Sequence, residues 1–246
     1  MFERFLDRLS HSDYRDKFVI KGGVLISAMV GIGARTTMDL DTTLRNLPLT
    51  KQEVEKAVRN ICSISLADDV FFQFVSITSI RKDDPYGGYR VRLDAIYEGI
   101  TTPLSIDVST GDVITPEAVK YEFAGLIDDS VNISLWGYSI ETILAEKTES
   151  ILSRDFTNTR QKDFYDVYIF AHQGKYDPCT FHEALKTTAV HRGSWSKIQK
   201  AELILKQIEK STVLQESWER YRWQFRYAAD ISFEDTIAAL RTLLNS

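Results

Sequence analysis

Two aspartates placed two residues apart in a strand-like stretch constrain this chain more than any other feature. They are Asp39 and Asp41 in Arg35-Thr36-Thr37-Met38-Asp39-Leu40-Asp41. Aspartate is disfavoured in strands. Positions i and i+2 of a strand project from one face with Cα atoms ~6.6 Å apart. Two ionised carboxylates at that spacing repel by roughly 2.5 kcal/mol at an effective dielectric of about 20. A fold that keeps them either lets them diverge into water, as at a solvated strand edge, or uses them to hold a cation. Asp107 lies among apolar strand formers in Leu104-Ser105-Ile106-Asp107-Val108. If that strand runs beside Met38–Leu44, three carboxylates converge. Hard oxygen ligands of this kind suit Mg²⁺ or Mn²⁺, and such ions activate a hydroxyl and stabilise a leaving pyrophosphate. Asp112, in Ser109-Thr110-Gly111-Asp112, reads instead as a turn aspartate.

Sixteen residues before Asp39 stands Lys21-Gly22-Gly23, between the β-branched and aromatic run Lys17–Ile20 and the apolar stretch Val24–Val30. A glycine pair there makes a tight turn. It also removes the Cβ atoms that would keep a phosphate away from backbone N–H groups and from the positive end of a helix dipole. The spacing predicts strand, helix and strand over 17–44. Thr50-Lys51-Gln52-Glu53 then opens a helix through about Ile61 by a capping box. Val70–Ile80 and Tyr89–Glu98 flank the turn-rich Asp83–Gly88, as a hairpin should. In the second arm Tyr89, Val91, Leu93, Ala95 and Tyr97 share one face, with Arg90, Arg92 and Asp94 on the other.

After about Trp136 the apolar period becomes helical. The pattern therefore predicts an α/β domain over 1–135 and a helical domain over 136–246. Ser139 caps a helix to about Ser153, and Gln161–His172 forms a second. Thr180–Glu183 and Ser232–Asp235 read as further capping boxes. Ile198, Ala201, Leu205 and Ile208 fall on one helical face, as do Leu214, Trp218, Tyr221 and Phe225. Lys147 lies on the apolar stripe of Ile140, Leu144 and Ile151, either snorkelling at a core edge or acting as a cation held between the domains to contact a triphosphate. Asp163 and Asp166 share a helical face at i, i+3, and suit a solvated face as well as a site.

The chain carries 30 basic and 35 acidic side chains, which excludes a uniformly basic nucleic-acid coat but not a local patch. Residues 1–135 hold 15 basic and 20 acidic groups, so the whole deficit falls where the aspartates would be offset by metal. Between Lys186 and Arg226 nine basic residues face four acidic ones, interleaved with Trp195, Trp218, Tyr221, Trp223 and Phe225. That stretch suits an RNA-facing surface, or simply a core. The N-terminus does not read as a signal peptide, and no apolar run reaches the length of a membrane span. Cys62 and Cys179 lack metal-ligand spacing and read as buried thiols of a cytoplasmic protein.

Phe18–Gly23 with Arg35–Asp41, then Glu141-Thr142-Ile143-Leu144-Ala145-Glu146-Lys147, then Arg160-Gln161-Lys162-Asp163-Phe164-Tyr165-Asp166-Val167-Tyr168, taken in that order, resemble the AbiEii/AbiGii abortive-infection toxins. These are nucleotidyltransferase-like toxins of bacterial type IV toxin–antitoxin systems, similar to the mycobacterial tRNA-modifying members. The resemblance covers residues 15–170 and implies a DNA polymerase β-like α/β (α+β) domain with a mixed sheet, followed by an α-helical bundle. It makes Gly22 and Gly23 the triphosphate-cradling turn and Asp39 and Asp41 the metal pair, with Asp107 like the third carboxylate of the wider superfamily. Lys147 and Asp163 take the positions of a lysine and an aspartate needed for activity. Arg35, Thr37, Lys147 and Asp166 fall to the nucleotide. Thr37 matches a hydroxyl residue that is itself modified in some relatives. Val24 departs from the hydroxyl residue that many relatives carry after the double glycine, which removes a side-chain phosphate contact and leaves the backbone ones.

The resulting expectation is a Mg²⁺- or Mn²⁺-dependent enzyme that moves a nucleotide from an NTP to an RNA acceptor, the 3′ end of tRNA foremost. A cognate antitoxin would be encoded alongside it, and no membrane is involved. Protein or small-molecule acceptors, and a nucleotide-binding module that does not transfer, are the competing readings.

Overall fold

In the computed structural model, residues 1–31, 33, 35, 37, 39–80, 87–124 and 132–246 are described. They form two units. One comprises Met1–Asp112 and Ala118–Tyr138, the other Val113–Glu117 and Ser139–Ser246.

The first unit begins with α1 (Phe2–Ser10), β1 (Phe18–Lys21) and α2 (Gly22–Val30). The helix starts where it does because Gly22 takes φ +65°, turning the chain directly from strand to helix. Then come β2 (Asp39–Leu44) and α3 (Lys51–Cys62). Met38, expected to open β2, lies outside the described residues, as do Thr36 and residues 83–86 of the expected hairpin turn. Thr50 caps α3 by accepting from the Glu53 N–H, and Val54, Ala57, Val58 and Ile61 bury one face at i, i+3, i+4, i+7 spacing. The hairpin arms are β3 (Phe71–Ile80) and β4 (Gly88–Tyr97), followed by β5 (Ile100–Ser109), β6 (Val119–Ala124) and β7 (Asn132–Gly137). The seven strands order as β3-β4-β5-β2-β1-β7-β6. β2 runs antiparallel to β1 but parallel to β5, and β1 parallel to β7, so the sheet is mixed.

Alternation splits the sheet by chemistry. Ile20, Leu40, Thr42, Ile106, Val91 and Leu93 are all buried. The opposite parity carries Lys21, Asp39, Asp41, Thr43, Asp107, Ser109 and Arg90.

The second unit is built from α4 (Ile140–Arg154), α5 (Gln161–Gln173), α6 (Pro178–His191), α7 (Trp195–Ile198), α8 (Ala201–Glu209), α9 (Thr212–Gln224) and α10 (Phe233–Leu244), with short 3-10 turns at Asp155–Thr157 and Arg226–Ala228. Ser139 caps α4, and Ser232 with Asp235 forms the capping box of α10. The expected box at Thr180 is corrected. The helix starts earlier, at Pro178, with Asp177 accepting from the Thr180 N–H, because proline at the first helical position needs no donor and favours an early start. The buried-thiol reading is corrected at Cys179, which this same early turn leaves exposed, while burial pushes the Cys62 thiol up to about 12. α5 packs against both α4 and α10. Among the described residues no helix is long and apolar enough to cross a membrane.

Candidate active site

The double-glycine turn and the aspartate strand meet in the sheet unit. A Cβ on Gly22 would overlap the Asp41 carboxylate, whose Cγ lies 2.9 Å from that position. A Cβ on Gly23 would stand 2.6 Å from Thr37 Oγ1. Both distances are shorter than real side chains tolerate, so the glycines are required by close approach and, at Gly22, by positive φ. Thr37 in turn donates to the Asp39 carbonyl at 3.2 Å. Ser27 of α2 donates to the Arg35 carbonyl at 2.7 Å, and Arg35 itself is buried. The N-cap residue of α2, Lys21, makes no side-chain cap hydrogen bond. A helix start directs its dipole and its first N–H groups to where a phosphate would approach.

Asp41 pairs in register with Asp107 across β2–β5, and Asp39 with Ser105. The third carboxylate does not join the other two at a common point. Among the described residues no group of three or more His, Cys, Asp or Glu side chains is placed to hold a metal ion. The reason lies on the next strand. Arg90 pairs in register with Asp107 across β4–β5, and its Nε and Nη2 donate to the two carboxylate oxygens at 2.7 Å each. That pairing holds the guanidinium well above its ordinary range, with Asp39 and Asp41 adding to the effect through their charge. As a donor set, three aspartates on one sheet face are hard oxygen ligands of the kind a divalent cation takes.

Asp112 departs from the turn reading. Its Oδ2 accepts from Lys21 Nζ at 2.5 Å, Thr43 Oγ1 at 2.8 Å and Ser109 Oγ at 2.9 Å. Burial opposes its ionisation, yet the Lys21 ammonium and the two hydroxyls hold it well below the usual carboxylate range. A group depressed in the folded state contributes stability that is full above its unfolded value and is lost as pH falls toward the folded one. Asp112→Asn should therefore cost about 2–3 kcal/mol at neutral pH. Its deficit against wild type should narrow below about pH 4. Urea unfolding at several pH values reads this directly, and a pH-independent deficit would contradict it.

Lys147, Asp163 and Asp166 come together in the helical unit. Lys147 Nζ lies 2.5 Å from Asp163 Oδ1 and 3.1 Å from Asp166 Oδ2. Burial would lower the ammonium's pKa, but the two carboxylates hold it well above the ordinary lysine value. Asp163 is only 3% exposed and Asp166 0%, so a solvated face is excluded for this pair. Asp163 Oδ2 is buried with no hydrogen-bond partner in the structure.

Sequence reasoning placed Arg90 on the right face but assigned it no role. It also took Asp112 out of consideration. The strand parity pointed to the first, and nothing in the local pattern to the second.

The mixed sheet and the strand–glycine–helix–strand segment at its centre agree with a nucleotidyltransferase fold, the class that the family match assigns. The chain belongs to the AbiEii family, the nucleotidyl transferase toxins of type IV toxin–antitoxin systems, whose profile matches residues 4–241. It is accordingly a nucleotidyltransferase, and its family pairs such toxins with antitoxins. Comparison with curated proteins finds no match. Among solved structures, a Helicobacter pylori protein described as a nucleotidyltransferase overlays with a TM-score of 0.49 at 16% identity, covering 99% of this chain and 90% of that one. JHP933 from Helicobacter pylori overlays at 0.46 and 17% identity, covering 91% and 94%.

Proposed function

We propose that this toxin uses Mg²⁺ or Mn²⁺ to transfer a nucleotide from an NTP to the terminal hydroxyl of an RNA, with the 3′ end of tRNA as acceptor and a co-encoded antitoxin as its neutralising partner. The observation that carries this reading is the fit between the Gly22-Gly23 turn and Asp41. It sets the start of α2 against a carboxylate on the face that also bears Asp39 and Asp107.

The α2 N–H groups and Arg35 would receive the triphosphate, with Gly22 and Gly23 allowing its close approach and Thr37 bordering it. Asp39 and Asp41 would hold the divalent cation, which when bound offsets charge on the phosphate oxygens. The acceptor oxygen forms a bond to the α-phosphorus as the bond to pyrophosphate breaks. The acceptor proton passes to Asp107. In the helical unit, Lys147, Asp163 and Asp166 are assigned to activity as a set whose charges depend on one another.

An RNA acceptor is supported by the surface of α9 and the turn after it. Trp218 and Tyr221 are buried, but Trp223 is 94% exposed, with Arg220 and Arg226 exposed close by in sequence and Lys162 over the Phe225 ring at 5.6 Å. A protruding indole among cations is a stacking platform for an unpaired base. Trp223→Ala should weaken tRNA binding by about 1–3 kcal/mol without changing NTP affinity. Equal tRNA affinity in filter binding would remove this surface from the acceptor path.

The deciding experiment incubates the protein with each labelled NTP against total tRNA, cell protein and small metabolites. Label in RNA supports the reading. Label only in protein or in small molecules assigns the acceptor elsewhere, and saturable NTP binding without pyrophosphate release in every arm makes the protein a nucleotide-binding module.

A further inference from the structure

Asp107 has two in-register neighbours of opposite charge. Across β2–β5 stands Asp41, and across β4–β5 stands Arg90. Its carboxylate is committed to Arg90 through both oxygens. The Lys21 ammonium of the same face is committed to Asp112 and Ser109. The Arg90 side chain is 40% exposed and that of Asp107 18%, which leaves the guanidinium in contact with solvent while it pairs.

We propose that Arg90 is an internal counter-cation that competes with the divalent metal for Asp107 and yields it only when a triphosphate offers the guanidinium another partner, so that metal and nucleotide bind together. The inference rests on Asp39, Asp41 and Asp107 being the metal-bearing face. Its physical basis is the geometry of the guanidinium. A planar fork that grips a carboxylate through two donors grips a phosphate in the same way. A divalent ion arriving alone must displace Arg90 into water. Arriving with a polyphosphate, it meets an arginine whose charge is satisfied on either side of the exchange. Two ligands that each favour the same released state of Asp107 raise one another's affinity by an equal factor.

The test is Mn²⁺ binding to the full chain, read from the electron paramagnetic resonance signal of the free ion. It is run with and without an α,β-methylene NTP analogue that cannot transfer. Wild type should bind Mn²⁺ weakly alone and about tenfold more tightly with the analogue, within the usual range of coupling between sites. Arg90→Gln should bind Mn²⁺ alone about tenfold more tightly than wild type and gain little from the analogue. Arg90→Lys, which keeps the charge without the fork, should fall between them and covers the case in which the glutamine variant does not fold. Mn²⁺ affinity equal to or below wild type in the folded variants overturns the proposal. Asp41→Asn separates this failure from that of the metal site itself. If that variant binds Mn²⁺ as wild type does, the carboxylate face is not the metal site. If it loses binding while the Arg90 variants are unchanged, the competition alone is wrong.

Discussion

Asp41→Asn should abolish nucleotide transfer and leave the sheet unit folded. Asparagine matches the volume of aspartate, and the packing of β2 rests on Leu40, Thr42 and Leu44, all buried, rather than on position 41. The substitution also removes one of two like charges from the face shared with Asp39, so the melting temperature should hold or rise. The rate should fall by about a thousandfold or more, about 4 kcal/mol in the barrier, because positioning and charge stabilisation carry most of phosphoryl-transfer catalysis. Labelled-NTP incorporation and a thermal melt on the same sample measure both effects. Incorporation near the wild-type rate would end the assignment of Asp41 to the metal. A collapse of the melt would instead show that its contact with the Gly22 turn is structural.

The strand–glycine–helix–strand segment was legible because its residues are costly anywhere else. Paired glycines and strand aspartates are locally unfavourable, so their presence together restricts the fold. The Thr50 and Ser139 caps were legible for a similar reason, since a hydroxyl three residues before a free N–H satisfies it locally. β6 and β7 were missed. In β6 the alternation is weak, with Val119 and Lys120 both exposed, and what defines the strand is its antiparallel pairing with β7. The role of Arg90 was hidden differently. Alternation gave its face, but its partner depends on the β4–β5 register, which no single strand carries. Asp112 was misjudged because its partners Lys21 and Thr43 lie about 70 to 90 residues earlier in the chain. The spacing of Asp163 and Asp166 left solvent and site open alike. It could not show that α5 packs against both α4 and α10, or that both carboxylates are buried.

Lys147→Met should strongly destabilise the helical unit. Methionine is an unbranched side chain of similar volume, so the change removes the charge with little change in size. What is lost is the counter-charge of two buried aspartates 3.1 Å or less from the ammonium. Leaving a buried charge without its partner costs about 3–5 kcal/mol, and here Asp163 and Asp166 are left facing one another. Guanidinium unfolding should show that loss. Adding Asp163→Asn and Asp166→Asn to the same chain should recover most of it, because a neutral buried set is often no less stable than a charged one. The pH dependence has a fixed sign. The folded ammonium is held above the ordinary lysine value, so its contribution is complete below about pH 10 and is lost only as pH rises through the raised value. The deficit of the methionine variant should therefore be flat through neutral pH and shrink in strong alkali. If Lys147→Met unfolds like wild type yet is inactive, the ammonium is not the structural counter-ion of this cluster. Its place in activity would then be chemical, acting on the substrate rather than on the fold.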